Sequence, residues 1–489
     1  MELRLSKSKY LSGMQCKKKL WLQFYKPDQA EPPSPALQRI FDQGTAIGEL
    51  AQKSYPDGQL ISATYYEIPK ALEQTKQALQ AGIVNLFEPA FVFAHTLVRV
   101  DILHRNPDST FDIIEVKSTS STHTEHIWDL AVQTSVLEGS GLSINRTILM
   151  HLDRACKYPD LSNLFAQTDL TREVREHLKV VPDHLKQFNE LIHLETEPSI
   201  PIGSHCNRPY SCPFQSYCFK QASVPTPSIF NIPRLPAVTL DNLASASIFA
   251  LQDIPETISL SESQRRFLTL YLEGKKEIHT EAIKAQLTSL NYPLYFLDFE
   301  TDAPALPWLE GLGPYQKFPF QYSLHILESS GGLTHKEYLH TEPTDPRIPL
   351  STELLNDIGP DGTIIAYNAS FEKSVITSLA SYIPDLSHHL LSLIPRFWDL
   401  LDIFRNHYFD SAFNGSNSIK SVLPVLCPDL SYKTLDIQDG SSAQVTWLEI
   451  ISTKDEEKKT ALSSGLHFYC HLDTLAMVRI YQYLKDLTG

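Results

Sequence analysis

Asp298 and Glu300 stand two apart in the apolar run Tyr295-Phe-Leu-Asp-Phe-Glu300. A strand turns alternate residues to one face, so both carboxylates share a face of an otherwise apolar element. Like charges repel there, and an apolar strand carrying Asp-x-Glu normally has a cation to offset them. Further along, Ile365-Ala-Tyr-Asn-Ala-Ser-Phe-Glu372 reads as a strand running into a helix, and Tyr469 and Asp473, with three residues between them, share one helix face. The first half holds a second set: Asp101 at the end of one strand, and Glu115-Val-Lys117 on the next. Glu115 and Lys117 point the same way while Val116 points into the core. Convergent carboxylates of this kind hold Mg²⁺ or Mn²⁺ through oxygen ligands, and such an ion activates water for attack on a phosphodiester. A lysine beside them steadies that water or the charge developing on phosphorus. Taken alone, an acid–apolar–Lys triplet is more often a half-exposed strand edge, and the second set has scattered surface acids as its bland alternative.

Cysteine supplies the other chemistry-bearing pattern. Cys206, Cys212 and Cys218 form Cys-x5-Cys-x5-Cys, interleaved with Pro209, Pro213 and aromatics, and Cys16 stands near the opposite end of the same half. The total of seven is odd, and in a reducing compartment clustered cysteines are more often metal ligands than disulfides. Cys156, Cys427 and Cys470 lack such company and read as packing residues.

These residues need elements to position them. Phe91-Val-Phe, Leu97-Val-Arg-Val and Phe111-Asp-Ile-Ile-Glu-Val alternate as strands, and Ile127 to Leu137 reads as a helix. In the second half, Leu294-Tyr-Phe-Leu-Asp-Phe, Phe320-Gln-Tyr-Ser-Leu-His-Ile and Thr363-Ile-Ile-Ala-Tyr read as strands, with helices from Phe371 and from Leu466. Both halves are therefore expected to be α/β. Pro27 to Pro35 reads as a loop, and the Pro-rich passage from Ser223 to Pro236 as a domain boundary. Residues 240–290 carry helical spacing around Leu268, Tyr271 and Leu272 and read as a connector.

In the first half, Glu88, Asp101, Glu115, Lys117 and Gln133 follow one another in an order that resembles the RecB-like branch of the PD-(D/E)xK nucleases. Asp129 would share a helix face with Gln133, four residues on. The sequence departs from that pattern at Leu137, where an aromatic residue is frequent, and in lacking a histidine near Gly44 and Gly48. The arrangement of Cys16 before this core and three cysteines after it resembles the iron–sulfur staple of AddB-type helicase–nucleases and of the CRISPR adaptation nuclease. That resemblance implies a structural [4Fe–4S] cluster on Cys16, Cys206, Cys212 and Cys218. A Cys₄ zinc site and four unrelated thiols are the alternatives.

Residues 291–489 resemble the DEDD exonucleases, proofreading-type 3′→5′ enzymes of RNase H-like fold. By that resemblance Asp298, Glu300, Glu372 and Asp473 would hold two divalent ions about 4 Å apart, and Tyr469 would orient the attacking water. Glu372 stands where the family usually has Asp. His467 and His471 are nearby alternatives for the water-orienting role, without the histidine subtype's spacing to Asp473. Asp399 reads either as a substrate-side residue or as a helix cap, and Asp402 is similarly ambiguous. The two halves together resemble a bacterial family that fuses an iron–sulfur RecB-like nuclease to a DEDD domain. The expected organisation is a PD-(D/E)xK restriction-endonuclease-like domain at 1–222, a linker and helical connector at 223–290, and a DEDD-type RNase H-like domain at 291–489.

A formal charge of −15 argues against a protein that coats nucleic acid nonspecifically. Lys7, Lys9, Lys17, Lys18 and Lys19 form one basic segment, readable as a substrate groove or as a solvated helix face. No run approaches the ~18 apolar residues of a membrane helix, and the N-terminus lacks a signal-peptide core, so a cytoplasmic location without a membrane partner is expected. The expected activity is processing of DNA ends or single strands in repair, recombination or defence. RNA processing and a scaffold with an inactive nuclease fold are the alternatives. With no Walker-type loop, helicase work would fall to a partner.

Overall fold

The protein is described from a computed structural model covering residues 4–432 and 435–489; the first three residues of the N-terminal segment lie outside it. The fold is mixed α/β, and the chain divides into two compact units. The first comprises Met1–Val224 with Ala244–Ser247 and Ala305–Tyr315, and the second comprises Pro225–Leu243, Ile248–Pro304 and Gln316–Gly489. The connector residues thus belong mainly to the second unit, and a short excursion after the Asp298 strand belongs to the first.

The first unit is built on a six-stranded sheet in the order Gln59–Leu60, Asn85–Phe87, Ile102–Arg105, Phe111–Lys117, Ile144–Leu152, Phe165–Asp169. Phe111–Lys117 pairs antiparallel with Ile102–Arg105 and parallel with Ile144–Leu152. Its two faces are both buried. Phe111 and Ile113 join the main core with Leu130, Val136 and Leu137 of the Thr124–Gly139 helix, while Ile114 packs with Ile102, Ile148 and Met150 on the other side. Alternation therefore delivers Glu115 and Lys117 to the helix-covered face. The expected Leu97–Val100 strand ends at Arg99, in a separate three-stranded sheet. Asp101 sits in the short corner where the chain leaves that sheet and enters the larger one at Ile102.

The second unit has a five-stranded sheet in the order Leu333–Leu339, Phe318–Leu327, Leu294–Asp302, Thr363–Ala366, Phe397–Asp399. The first two pairings are antiparallel and the last two parallel. Tyr295, Leu297 and Phe299 face a core shared with Leu350, Leu354, Val375, Ile376 and Leu379. Their neighbours Phe296, Asp298 and Glu300 face the opposite way, toward the 33-residue C-terminal helix Glu456–Thr488, where Phe296 meets Tyr481 edge-on. That helix buries Leu466, Tyr469, Cys470, Asp473, Met477, Ile480, Tyr481 and Leu484, a stripe at helical spacing. It begins ten residues before the expected start at Leu466, capped by Asp455, whose carboxylate accepts from Glu457 and Lys458 N–H. Its polar first turns carry no apolar period and so gave no helical signal. The connector is not purely helical: Gly274, at φ 60°, ends the Glu262–Glu273 helix, and Lys276–Ile278 pairs antiparallel with Tyr408–Asp410.

No helix of the described residues is long and apolar enough to cross a membrane.

Candidate active sites

The first acidic site lies where the Asp101 corner, the Phe111–Lys117 strand and the Thr124–Gly139 helix meet. Glu115 is fully buried, as are Asp129 and Gln133 on the covering helix. The Glu115 carboxylate accepts four hydrogen bonds: two from Lys7 Nζ at 2.8 and 3.0 Å, one from Lys117 at 2.6 Å and one from Gln133 Nε2 at 2.7 Å. Lys117 also bridges to Asp129 at 2.8 Å, and Gln133 donates to the other Asp129 oxygen at 3.0 Å. Lys7 Nζ is 3.6 Å from Asp129 and 3.9 Å from Asp101. Asp101 accepts the Val116 N–H at 2.7 Å, which fixes it against the strand that carries Glu115.

Within the basic segment, Lys17 is exposed, while the Lys7 ammonium is largely covered and pairs with Glu115 at 2.8 Å. Lys18, too, is buried and pairs with Glu197 at 2.8 Å. Nothing in the spacing of the lysines marks Lys7 as different; only the packing of its helix beside the sheet brings it to Glu115. Asp129, noted only for sharing a face with Gln133, is a full member of the cluster. Glu88 stands at the edge, its carboxylate 3.4 Å from Arg99, and its φ of 55° puts it in left-handed backbone.

Charge sets the protonation here. Burial pushes Glu115 up, but Lys117 and Lys7 outweigh it and hold the carboxyl well below its ordinary range. Burial and the neighbouring Glu115 charge push Asp101 up to about 7 and raise Asp129 as well. Burial opposes the Lys7 charge, yet Asp129, Glu115 and Asp101 together leave Lys7 firmly protonated.

The second site is more concentrated. Asp298 and Glu300 from the central strand and Asp473 from the C-terminal helix bring carboxylate oxygens within 4.8 Å of one another. Among the described residues no such triad forms at the first site. Glu372, in the first turn of the Ser370–Tyr382 helix, is buried, and one of its oxygens has no hydrogen-bond partner. Its charge acts on Asp298, so it stands at the flank of the triad. Tyr469 lies one helical turn before Asp473 and is buried. A further residue, Tyr432, donates its hydroxyl to Asp473 at 2.6 Å. No motif surrounds it in the sequence, so spacing could not have found it. Lys420 sits over the rings of Tyr432 and Tyr469 at 5.5 and 5.6 Å. At Gly440 a side chain would come within 3.3 Å of Glu300 Oε2, so the start of the Gly440–Ser452 helix closes tightly on that carboxylate.

All four carboxyls titrate high. Burial and the mutual charges of Asp473, Glu372 and Glu300 raise Asp298 far above the usual carboxylate range. Burial and Asp473 lift Glu300 to about 8, and burial with Asp399 lifts Glu372 to about 8. Burial lifts Asp473 only to about 6, because the Tyr432 hydrogen bond and the Lys420 charge favour its ionised form. Asp399 accepts from Asn368 N–H at 2.8 Å and Leu401 N–H at 3.1 Å. It thus ties the turn before the Leu401–Asn406 helix, whose N-cap is Leu400, to the turn that leads to Glu372. Asp402 pairs with Arg405 at 3.1 Å. Neither histidine near the motif joins the acids: His467 pairs with Glu337 at 2.9 Å, and His471 belongs to a cluster of histidines.

Cys16, Cys206, Cys212 and Cys218 line one small cavity in the first unit, with Lys19 and Phe214 among its walls. All four are free thiols. Cys16 is the extended residue between the Lys7–Gln15 and Lys17–Tyr25 helices. Burial raises Cys212, and it pushes Cys218 up to about 11. Among the described residues no three of these sulfurs lie within 4.8 Å of one another, whereas a zinc tetrathiolate spaces its sulfurs about 3.8 Å apart. Cys156, Cys427 and Cys470 are buried away from this cavity.

The model of a domain of unknown function, DUF2779, matches residues 295–418, which include Asp298, Glu300 and Glu372 but not Asp473. The chain is 31% identical over 212 residues to the Uncharacterized protein MG366 homolog of Mycoplasma pneumoniae, covering 39% of this chain and 32% of that protein. It is 24% identical over 249 residues to the Uncharacterized protein UU173 of Ureaplasma parvum, covering 46% of this chain and 36% of that protein. The chain thus spans about a third of the length of these curated relatives. A comparison with the crystal structure of SSO0001 gives a TM-score of 0.21 at 11% identity, over 45% of this chain and 86% of that one, and carries no argument.

Proposed function

We propose that this chain is a metal-dependent phosphodiester hydrolase acting on nucleic acid, with its main active site at Asp298, Glu300, Glu372 and Asp473. The observation that carries the reading is the convergence of three of these carboxylates within 4.8 Å, beside a buried Glu372 oxygen that has no partner. Three buried acids and the half-buried Asp298, all with raised titration, are poor as a structural device, since each would stabilise the fold more as an uncharged residue. A divalent ion removes that conflict, so the donor set fits Mg²⁺ or Mn²⁺, hard cations that prefer oxygen. When bound, such an ion would supply Lewis-acid stabilisation of the phosphoryl charge. The chain's own groups do the rest. Tyr432 keeps Asp473 ionised and aimed inward, Tyr469 offers a hydroxyl to orient water one turn away, and Lys420 provides a positive charge on the substrate side. The 3-2-1-4-5 strand order, with three antiparallel strands followed by two parallel ones, supports an RNase H-like reading of this unit.

The Glu115 cluster is proposed as a second nuclease site of PD-(D/E)xK type. Its support is the joint presence of Asp101, Glu115, Lys117 and Gln133 around a hairpin, helix and parallel strand. An ion enters there only if the Lys7 ammonium withdraws from Glu115, because Lys7, Lys117 and Gln133 already occupy the carboxylate. Lys117 Nζ would then hold its proton toward a phosphate oxygen. Among the described residues no three of the cysteine sulfurs stand as close together as a single zinc ion would hold them, which favours [4Fe–4S] over zinc; Cys16, Cys206, Cys212 and Cys218 would hold it. Protein purified without oxygen is then brown and carries iron, and a colourless zinc-loaded protein defeats that assignment.

DNA is the preferred substrate on the strength of the cysteine-stapled resemblance, with RNA as the second reading and a helicase or other repair or defence protein as partner. Digestion of end-labelled single- and double-stranded DNA and RNA by the wild type, Asp298→Asn and Lys117→Ala decides among these. Full activity in both variants refutes the two sites, and inert wild-type protein favours a scaffold.

A further inference from the structure

We propose that His325, His335 and His471 form a binding site for a transition-metal ion of the zinc class, distinct from the acidic triad. His325 and His335 are direct cross-strand partners on the antiparallel strands Phe318–Leu327 and Leu333–Leu339. A cross-strand pair on one face brings its side chains together, and here the ring centroids are 4.5 Å apart. His471 joins them from the C-terminal helix, its ring 4.8 Å from His325 and 4.4 Å from His335. One ring nitrogen of each lies within 4.8 Å of the other two.

The second nitrogens are already engaged. His325 Nδ1 is 2.8 Å from Thr474 Oγ1, His335 Nε2 is 2.9 Å from Ser323 Oγ, and the two hydroxyls are 2.7 Å from each other. A hydrogen-bond partner on the far nitrogen is what orients a metal-ligating histidine and sets its tautomer. The pairings leave His325 Nε2 and His335 Nδ1 for an ion, and among the described residues no hydrogen bond engages the His471 ring. Burial first, and then the neighbouring rings, push His325 down to about 3 and lower His335 as well. The His325 and His335 imidazoles are therefore held toward the neutral form, the form that binds metal.

Ligand chemistry separates this site from the acids. Imidazole nitrogen suits zinc, copper, nickel or iron, whereas Mg²⁺ keeps to oxygen. Zinc bound by three histidines at 2.0–2.1 Å spaces the nitrogens about 3.3 Å apart, so the rings close inward on loading, and water takes the fourth position. Glu337, two residues from His335 on the same strand, is held by His467 at 2.9 Å and so does not compete. The ion would tie the Leu333–Leu339 edge strand to the C-terminal helix two residues before Asp473. It thereby fixes the helix that carries Tyr469 and Asp473.

Two measurements on the full chain test the site. Diethyl pyrocarbonate labelling read by mass spectrometry should show His335 and His471, both half-buried, strongly protected by Zn²⁺ and unprotected by Mg²⁺. Equal labelling with and without Zn²⁺ overturns the proposal. Co²⁺ added in excess Mg²⁺ should give one equivalent of visible d–d absorption without a thiolate charge-transfer band. That signal should be lost in His335→Gln and in His471→Gln but kept in Asp298→Asn. Its persistence in both histidine variants means that these rings are neutral packing only. Nuclease activity enters neither readout, so a failed histidine site and a failed nuclease reading remain separate results.

Discussion

At the Glu115 cluster, three carboxylates, Asp101, Glu115 and Asp129, meet two ammonium groups, Lys7 and Lys117, and the hydrogen bonds close almost completely. At the Asp298 cluster, three carboxylates converge with Glu372 at their flank, and among the described residues the neighbouring Lys420 forms an ion pair with none of them. The titration behaviour follows. Glu115 is driven down by its lysines, while Asp298, Glu300 and Glu372 are all driven up by burial and by one another. Similar acidic residues thus make one site whose lysines bond directly to its carboxylates and one in which, among the described residues, no ion pair does so. An arriving cation must displace Lys7 at the first site, and at the second it relieves a repulsion already present.

The contrast can be broken or sharpened experimentally. The largest effect should come from Asp298→Asn, which should remove the second site's Mg²⁺-dependent cleavage by on the order of 10³-fold, about 4 kcal/mol of barrier. Single-turnover assays on end-labelled substrate would read this, and Lys117→Ala should leave that component in place. Next, Lys7→Met should raise Mn²⁺ affinity at the first site by roughly tenfold, about 1.4 kcal/mol, because one competing charge is gone. Electron paramagnetic resonance titration in an Asp298→Asn background isolates that site, and weaker binding would assign Lys7 a supporting rather than a competing role.

A third expectation concerns pH. Glu300 and Glu372 titrate at about 8 in the folded protein but near 4.3 when unfolded. The folded state therefore holds protons that the unfolded state has released. The stability this contributes is complete below pH ~4.3 and is lost as pH rises through about 8. In EDTA the Tm should fall more steeply from pH 6 to 9 for the wild type than for Glu372→Gln, and Mg²⁺ should flatten the wild-type curve. Parallel curves for the two proteins in EDTA would remove the charge conflict from the account. The smallest effect should be that of Tyr432→Phe, which deletes one hydrogen bond to Asp473 and should cost about tenfold or less in cleavage, with Mn²⁺ affinity reduced alongside.

Much of the site architecture was legible because strand alternation is a short-range rule. Asp298 with Glu300, and Glu115 with Lys117, needed only period two to share a face, and Tyr469 with Asp473 needed only one helical turn. The same local logic grouped Cys206, Cys212 and Cys218, Cys16 was joined to them by resemblance, and all four line one cavity. Where a signal came from composition alone, it did not separate the residues within it. Five lysines near the N-terminus suggested one basic surface, yet Lys7 and Lys18 turn inward to separate carboxylates. The C-terminal helix was expected too short because its first ten residues have no apolar period.

The amino-acid sequence by itself determined which side chains share a face, since φ/ψ periodicity depends on neighbours a few residues away. It therefore specified the acids, the Glu-x-Lys pair and the cysteine spacing. Only the tertiary structure decided which distant groups meet them: Lys7 at Glu115, Tyr432 at Asp473, and His471 against a cross-strand histidine pair. Those meetings arise from packing between elements far apart in the chain. Charge compensation depends on distances of a few ångströms that no local pattern encodes.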